Sequence, residues 1–200
     1  MIIGITGSSG AGKSTVCKML EKQYHMKVLN ADYMAKQLAQ KGNRYLAEIV
    51  ELFGQEILLE TGELDREKLA NIIYYHKEKR EILNQCTFKH ISIALQEEIK
   101  KLLDKDEKAM IAIDAPLLFE AKLETICDLV VAVIAKDGER QIERIMKRDG
   151  ITREKTVRRL QAQMPDEFYT SRSQYVIVND GEMQDIETQI KVIFEEIVTD

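Results

Sequence analysis

The residues best equipped for chemistry stand near the start of the chain, where Gly7-Ser8-Ser9-Gly10-Ala11-Gly12-Lys13-Ser14 fits the pattern G-x-x-x-x-G-K-[ST]. Glycines at these spacings let a backbone wrap closely around an oxyanion with its N–H groups pointing inward. An apolar run, Ile2 to Thr6, precedes the loop and a helical run, Val16 to Gln23, follows it. The loop therefore ends on a helix N-terminus, whose dipole adds positive potential. Such a loop predicts ATP with Mg2+ as its ligand. Lys13 would neutralise the β- and γ-phosphates, Ser14 would hold the magnesium that bridges them, and Thr15 would contact the α-phosphate. P-loops also serve switches and motors, but the chain has no N-K-x-D guanine-reading motif, no D-x-x-G switch and no LSGGQ-like signature. A small-molecule kinase or a nucleotide-binding scaffold remains.

A kinase needs more than a cradle. Asp32, in Asn30-Ala31-Asp32 after the second apolar run, would emerge at the sheet edge that carries the loop, where it could take a proton from an acceptor hydroxyl or organise magnesium. It could equally be the N-cap of a helix beginning at Tyr33. Asp114, at the end of the third run, resembles a Walker B carboxylate and competes for the metal role, or is a turn residue before Pro116. Arg140, Arg144 and Arg148 recur at four-residue steps, with Arg153 close behind. On a closing lid they would stabilise charge on a transferring phosphoryl group. On a solvated face they would only pair with Glu139, Glu143, Asp149 and Glu154.

The elements that must position these groups can be read from hydrophobic patterning. Ile2 to Thr6, Lys27 to Asn30, Met110 to Asp114, Leu129 to Ala135 and Tyr175 to Asn179 are short, continuous and rich in β-branched residues, as strands covered on both faces require. The expected fold class is α/β. Roughly eighty residues between the second and third runs read as mainly helical, with apolar steps at Leu46, Ile49, Val50 and Phe53, at Leu69, Ile72 and Ile73, and at Ile91, Leu95, Ile99 and Leu102. A further helical stretch is expected over Glu139 to Met164, and a closing amphipathic helix carries Ile186, Ile190, Ile193 and Ile197.

At 200 residues, with 44% hydrophobic and 32% charged side chains, the chain is read as one globular domain around one core. Its net charge of -5 gives no general attraction to nucleic acid or anionic membrane, so neither is expected as a partner. No apolar stretch approaches the length of a membrane span or signal peptide, and a cytoplasmic location is expected. Cys17, Cys86 and Cys127 form no C-x-x-C pair and are read as making no ligand spacing with His25, His76 and His90, so no zinc or disulfide framework is expected.

Taken together, G-S-S-G-A-G-K-S-T, N-A-D, D-A-P-L-L-F-E at 114 to 120, Gln141 with Arg144 and Arg148, and V-N-D-G at 178 to 181 resemble the dephospho-CoA kinase family nearly end to end. Phe53-Gly54 and Gly62-Glu63-Leu64-Asp65-Arg66 with Leu69 add to the likeness. The resemblance implies a five-stranded parallel P-loop kinase core made of residues 1–32, 109–138 and 173–200. It also implies a helical acceptor-binding insertion at 33–108 and a lid at 139–172. The implied reaction is transfer of the ATP γ-phosphoryl group to the ribose 3′-hydroxyl of dephospho-CoA. By position, Asp32 would be the base, and Lys13 and Arg148 would stabilise phosphate. Gly7, Gly10, Ala11, Gly12, Ser14, Thr15, Arg144 and Asn179 would bind ATP. Lys36, Asp114, Pro116, Leu117, Leu118 and Glu120 would border the acceptor, with Ser14 and Asp114 at the metal. The loop from Pro116 to Glu120 could also simply pack on the core. The sequence departs from the family at Asn30, Lys36, Phe88-Lys89 and Gln174-Tyr175, which leaves open a related kinase with another nucleoside or nucleotide acceptor, or a non-catalytic scaffold. A monomer is expected.

Overall fold

All five apolar runs are strands. The computed structural model describes residues 1–199, and the side chains of residues 1–197; Asp200, the last residue of the expected core segment, lies outside them. The strands are β1 (Ile2–Thr6), β2 (Lys27–Asn30), β3 (Ile111–Asp114), β4 (Leu129–Ala135) and β5 (Tyr175–Asn179). They form a parallel sheet in the order β2-β3-β1-β4-β5. Met110, expected to open β3, falls just outside it, though its carbonyl accepts the Lys27 N–H at 2.8 Å.

The helices are α1 (Lys13–Gln23), α2 (Ala31–Leu38), α3 (Arg44–Phe53), α4 (Arg66–Tyr75), α5 (Lys77–Lys105), α6 (Gly138–Asp149), α7 (Arg153–Gln161), α8 (Asp166–Thr170) and α9 (Met183–Thr199). Continuous apolar strands demand cover on both faces. On one side α1 and α9 supply it, where Val16, Leu20, Ile186, Ile190 and Phe194 join Ile3, Ile5 and Val131 in a single cluster. Ile197 packs against that cluster, partly buried. Central β1 carries the cradle, and its neighbours hold it in register through Ile5 opposite Asp114 on β3 and opposite Val131 on β4.

The chain divides into two compact units, Met1–Leu29 with Lys108–Asp200, and Asn30–Glu107. A single core was the expectation from length, but the inserted unit has a core of its own. Leu46, Ile49, Phe53, Ile57, Leu69 and Leu83 gather there, with α2, α3 and α4 packed on the 29-residue α5. One long amphipathic helix is enough backing for three short ones.

The helical stretch expected over Glu139 to Met164 holds two helices, α6 and α7. Gly150 closes α6 in the left-handed region (φ 65°), accepting no Cβ penalty there, and α7 restarts behind a Thr152 cap whose side chain accepts the Lys155 N–H. Arg140, Arg144 and Arg148 thus share α6, while Arg153 opens α7. Among the described residues no helix is long and apolar enough to cross a membrane.

Candidate active site

Where β1 ends, the chain turns through the glycine-rich loop into α1. Two glycines are dictated by space as well as by backbone angle. At Gly7 (φ 131°) a Cβ would sit 2.0 Å from the Val133 carbonyl oxygen, and at Gly12 (φ 114°) 2.1 Å from Asn179 Nδ2. Gly12 is the N-cap of α1 and offers no side chain, so the first N–H groups of the helix face the loop's concavity without a built-in cap. Lys13 is almost fully buried, and its ammonium donates to the carbonyls of Gly7 (2.8 Å) and Ser8 (2.9 Å), which draws the charge back over the loop. Ala11 is buried and its carbonyl accepts from Asn179 Nδ2 at 2.7 Å, while Asn179 Oδ1 accepts the Gly181 N–H at 2.9 Å. One amide side chain therefore ties the cradle to the turn after β5.

Beside that tie lies a cavity of about 420 Å³ lined by Thr15, Arg140, Arg144, Asn179, Gly181 and Met183. Its size suits a nucleoside. Arg140 donates to the Asp180 carbonyl at 2.7 Å and so closes the turn side. Burial lowers the Arg144 pKa, and neighbouring Arg140 lowers it further. A guanidinium desolvated beside a like charge is one that an anion would relieve.

Three residues of the expected lid reach the tip of the loop. Gln141 Nε2 donates to Ser8 Oγ (2.9 Å) and to the Ser9 carbonyl (2.7 Å), and the Arg148 guanidinium donates to Ser9 Oγ (3.2 Å). Gln163, between α7 and α8, accepts the Ser9 N–H on its Oε1 at 2.9 Å. Solvated pairing accounts for other charges in this region: Arg153 grips Glu139 and Arg158 grips Glu154. Arg148 does both, since it also pairs with Asp149, whose carboxyl is held below its ordinary range first by that hydrogen bond and then by the charges of Arg148 and Arg159. Sequence reasoning assigned no role to Gln163. The available signal was the second amide of Gln161-Ala162-Gln163, in a non-helical step before Pro165, which no charge or periodicity pattern would single out.

The carboxylates take distinct positions. Asp114 is buried at the end of β3, level with Ile5 and so one residue short of where β1 enters the cradle. Cys17 registers its proximity: burial chiefly raises that thiol's pKa, Asp114 raises it further, and Lys13 opposes them. Hydroxyl and carboxylate oxygens of the Ser14 and Asp114 type are the hard donors that magnesium takes, so the residues fit that ion. Asp32 is exposed in the first turn of α2, two residues past β2. The cap of that helix is Asn30, whose Oδ1 accepts the Tyr33 N–H at 2.7 Å, so capping does not explain Asp32. Lys36 is exposed in the last turn of the same helix.

In the loop after β3, Leu118 is fully buried and lies over Gly4 of β1, where an added Cβ would meet its Cδ1 at 2.7 Å. Packing accounts for Leu118 but not for Leu117, which is 46% exposed. Pro116 is half-buried. Glu120 is also half-buried, with its pKa raised chiefly by burial and its Oε2 without a hydrogen bond among the described residues. Of the departures from the family pattern, Gln174 has a structural explanation: its Oε1 accepts the Val130 N–H at 2.7 Å, locking the start of β5 to β4.

Comparison with known proteins agrees in length and in kind. The family model described as CoaE, dephospho-CoA kinase, matches residues 1–185. A dephospho-CoA kinase of Bacillus cereus is 39% identical over 196 residues, covering 96% of this chain and 95% of the relative. Among solved structures, TT1252 of Thermus thermophilus superposes with a TM-score of 0.81 at 32% identity, covering 98% of this chain and 97% of its own. A dephospho-CoA kinase from Campylobacter jejuni gives a TM-score of 0.69 at 26% identity over 98% and 96% of the two chains. With a family model spanning most of its length and a relative alike from end to end, the chain belongs to the dephospho-CoA kinase family.

Proposed function

We propose that this chain transfers the γ-phosphoryl group of ATP to the ribose 3′-hydroxyl of dephospho-CoA, the last step of coenzyme A synthesis. The observation that carries the reading is a cradle whose lysine folds onto the Gly7 and Ser8 carbonyls while Gln141, Arg148 and Gln163 clasp its tip. Pure nucleotide binding has no use for an arginine at the loop's outer end. Phosphoryl transfer does, because the equatorial oxygens of a loose transition state carry spreading negative charge.

In this reading the cavity beside Thr15 and Asn179 holds the adenosine, and the uncapped start of α1 receives the phosphates. Ser14 and Asp114 would hold Mg2+, which would supply charge neutralisation at the phosphates. Lys13 and Arg148 stabilise the transferring group. Asp32 accepts the proton as the hydroxyl oxygen bonds to phosphorus and the bond to the ADP oxygen breaks. Lys36 and the loop from Pro116 to Glu120 receive the acceptor, Leu117 presenting its side chain and Leu118 supporting the loop from the core. A cytoplasmic monomer is in keeping with this chemistry, which needs neither a membrane nor a second subunit.

The test is coupled ADP release with dephospho-CoA and Mg2+, product mass being read in parallel. Wild type should yield coenzyme A. Asp32→Asn should slow turnover by about 10²- to 10⁴-fold, the usual worth of a positioned base, with ATP affinity unchanged. A folded wild-type sample that binds ATP and leaves dephospho-CoA untouched sinks the assignment.

A further inference from the structure

We infer that Glu48, Cys86 and His90 form a binding site for a borderline-soft divalent cation of the zinc class, built wholly within the inserted unit. The sequence reading paired no cysteine with any histidine, yet Cys86 and His90 are four residues apart on α5, one turn of helix, and so share a face. Glu48 reaches that face from α3. One carboxylate oxygen, one thiol sulfur and one imidazole nitrogen thereby lie within 4.8 Å of one another.

Those distances suit a metal. Zinc bonds of about 2.0–2.3 Å at tetrahedral angles separate neighbouring donor atoms by about 3.3–3.8 Å. Here His90 Nε2 and Glu48 Oε2 stand 2.7 Å apart and need only part slightly to admit an ion. Neighbouring Ile49 and Leu83 belong to the unit's core, which fixes α3 against α5 and limits how far the donors can drift. A sulfur, a nitrogen and one oxygen exclude magnesium and calcium, which take oxygen shells, and favour zinc or cobalt. Three protein donors leave the fourth position to water.

Without a metal, the same donors hydrogen-bond to one another. Glu48 accepts from His90 and from the Lys89 ammonium, and the Cys86 thiol donates to it as well. Lys89 is the competitor: its side chain is 52% exposed and can leave for water. Binding exchanges the thiol proton, released to solvent, for a metal–sulfur bond, and frees the Lys89 ammonium from Glu48.

Cobalt(II) added to the full chain is the probe, because a cobalt–thiolate bond gives a charge-transfer band in the near ultraviolet, and zinc should then bleach the band by displacement. One equivalent is expected. Cys86→Ser should remove the band and weaken zinc binding by at least about 100-fold, more than changes outside the ligand set cost. Glu48→Gln, at a half-exposed position, provides the same test with less risk to folding. Lys89→Met should act in the opposite sense, tightening binding by about 2- to 5-fold, the worth of an exposed ion pair. The proposal is overturned by either of two results: absence of the band in wild type and Lys89→Met alike, or zinc binding that Cys86→Ser and Glu48→Gln leave unchanged.

Discussion

Asn179→Asp changes one nitrogen to oxygen at the point where the cradle meets β5, and the geometry fixes what should follow. Asn179 is 3% exposed and spends both ends of its amide, donating to Ala11 O at 2.7 Å and accepting from Gly181 N at 2.9 Å. The carboxylate keeps the second bond and loses the first, leaving an oxygen against a buried carbonyl. One lost hydrogen bond is worth about 1 kcal/mol and a stranded buried partner about 1–3 kcal/mol, so the variant should be less stable by roughly 2–4 kcal/mol at pH 7. For a protein of this size that is a fall in Tm of roughly 5–15 °C.

The pH dependence gives the sharper discrimination. A protonated carboxyl can donate to Ala11 O again, so folding raises the new group's pKa above the unfolded value of about 3.9. A raised folded pKa means stability that is present below the unfolded pKa and lost as pH rises through the folded one. The deficit against wild type should therefore be small near pH 4 and grow toward pH 7. Thermal unfolding followed by circular dichroism, without nucleotide, measures both quantities. A Tm within about 1 °C of wild type at pH 7, or a deficit that widens as pH falls, would refute the assigned amide orientation and with it the tie between cradle and turn.

Gly12→Ala should abolish measurable ATP binding in calorimetry, because its Cβ would collide with Asn179 at a backbone angle that alanine resists; near-normal affinity would show that the loop opens there without cost. Gln163→Met strands the Ser9 N–H and should lower kcat/KM for ATP by about 5- to 150-fold, from about 1–3 kcal/mol of lost loop support; unchanged kinetics would mean the clasp is incidental. Glu120→Gln should raise Tm at pH 7, with the gain vanishing toward pH 4, since burial raises the folded pKa of Glu120 and makes the wild type pay for its ionisation only at higher pH; a gain that persists at low pH would implicate packing instead.

Most strands were legible because they are continuous apolar runs of the kind a doubly covered sheet requires, edge strand β2 with its Lys27 and Asn30 being the weakest of them, and the cradle because its spacing is stringent. Strand order was not, since β1 pairs with β3 and β4 across long intervals that leave no local mark. The break at Gly150 hid inside a charge-rich stretch whose helical period resumes in α7. Asp32 stayed ambiguous until Asn30 proved to be the cap, a choice that depends on where β2 hands over to α2 and not on residue type. Gln163 and the meeting of Glu48 with Cys86 and His90 lay beyond sequence reasoning because each joins segments distant along the chain.

Central placement of β1 also bears on how the protein is made. Its first hydrogen-bonded neighbour starts at Ile111 and the other at Leu129, so during synthesis the strand that will carry the cradle emerges with both edges bare. An apolar strand without partners is a template for wrong pairing. The intervening segment Asn30–Glu107 is contiguous and has its own core, so it can settle while β1 waits. Competence to hold a nucleotide comes later still, since Asn179 follows all the other strands in chain order, and a chain truncated before β5 should fail to bind ATP although its glycine-rich loop is intact.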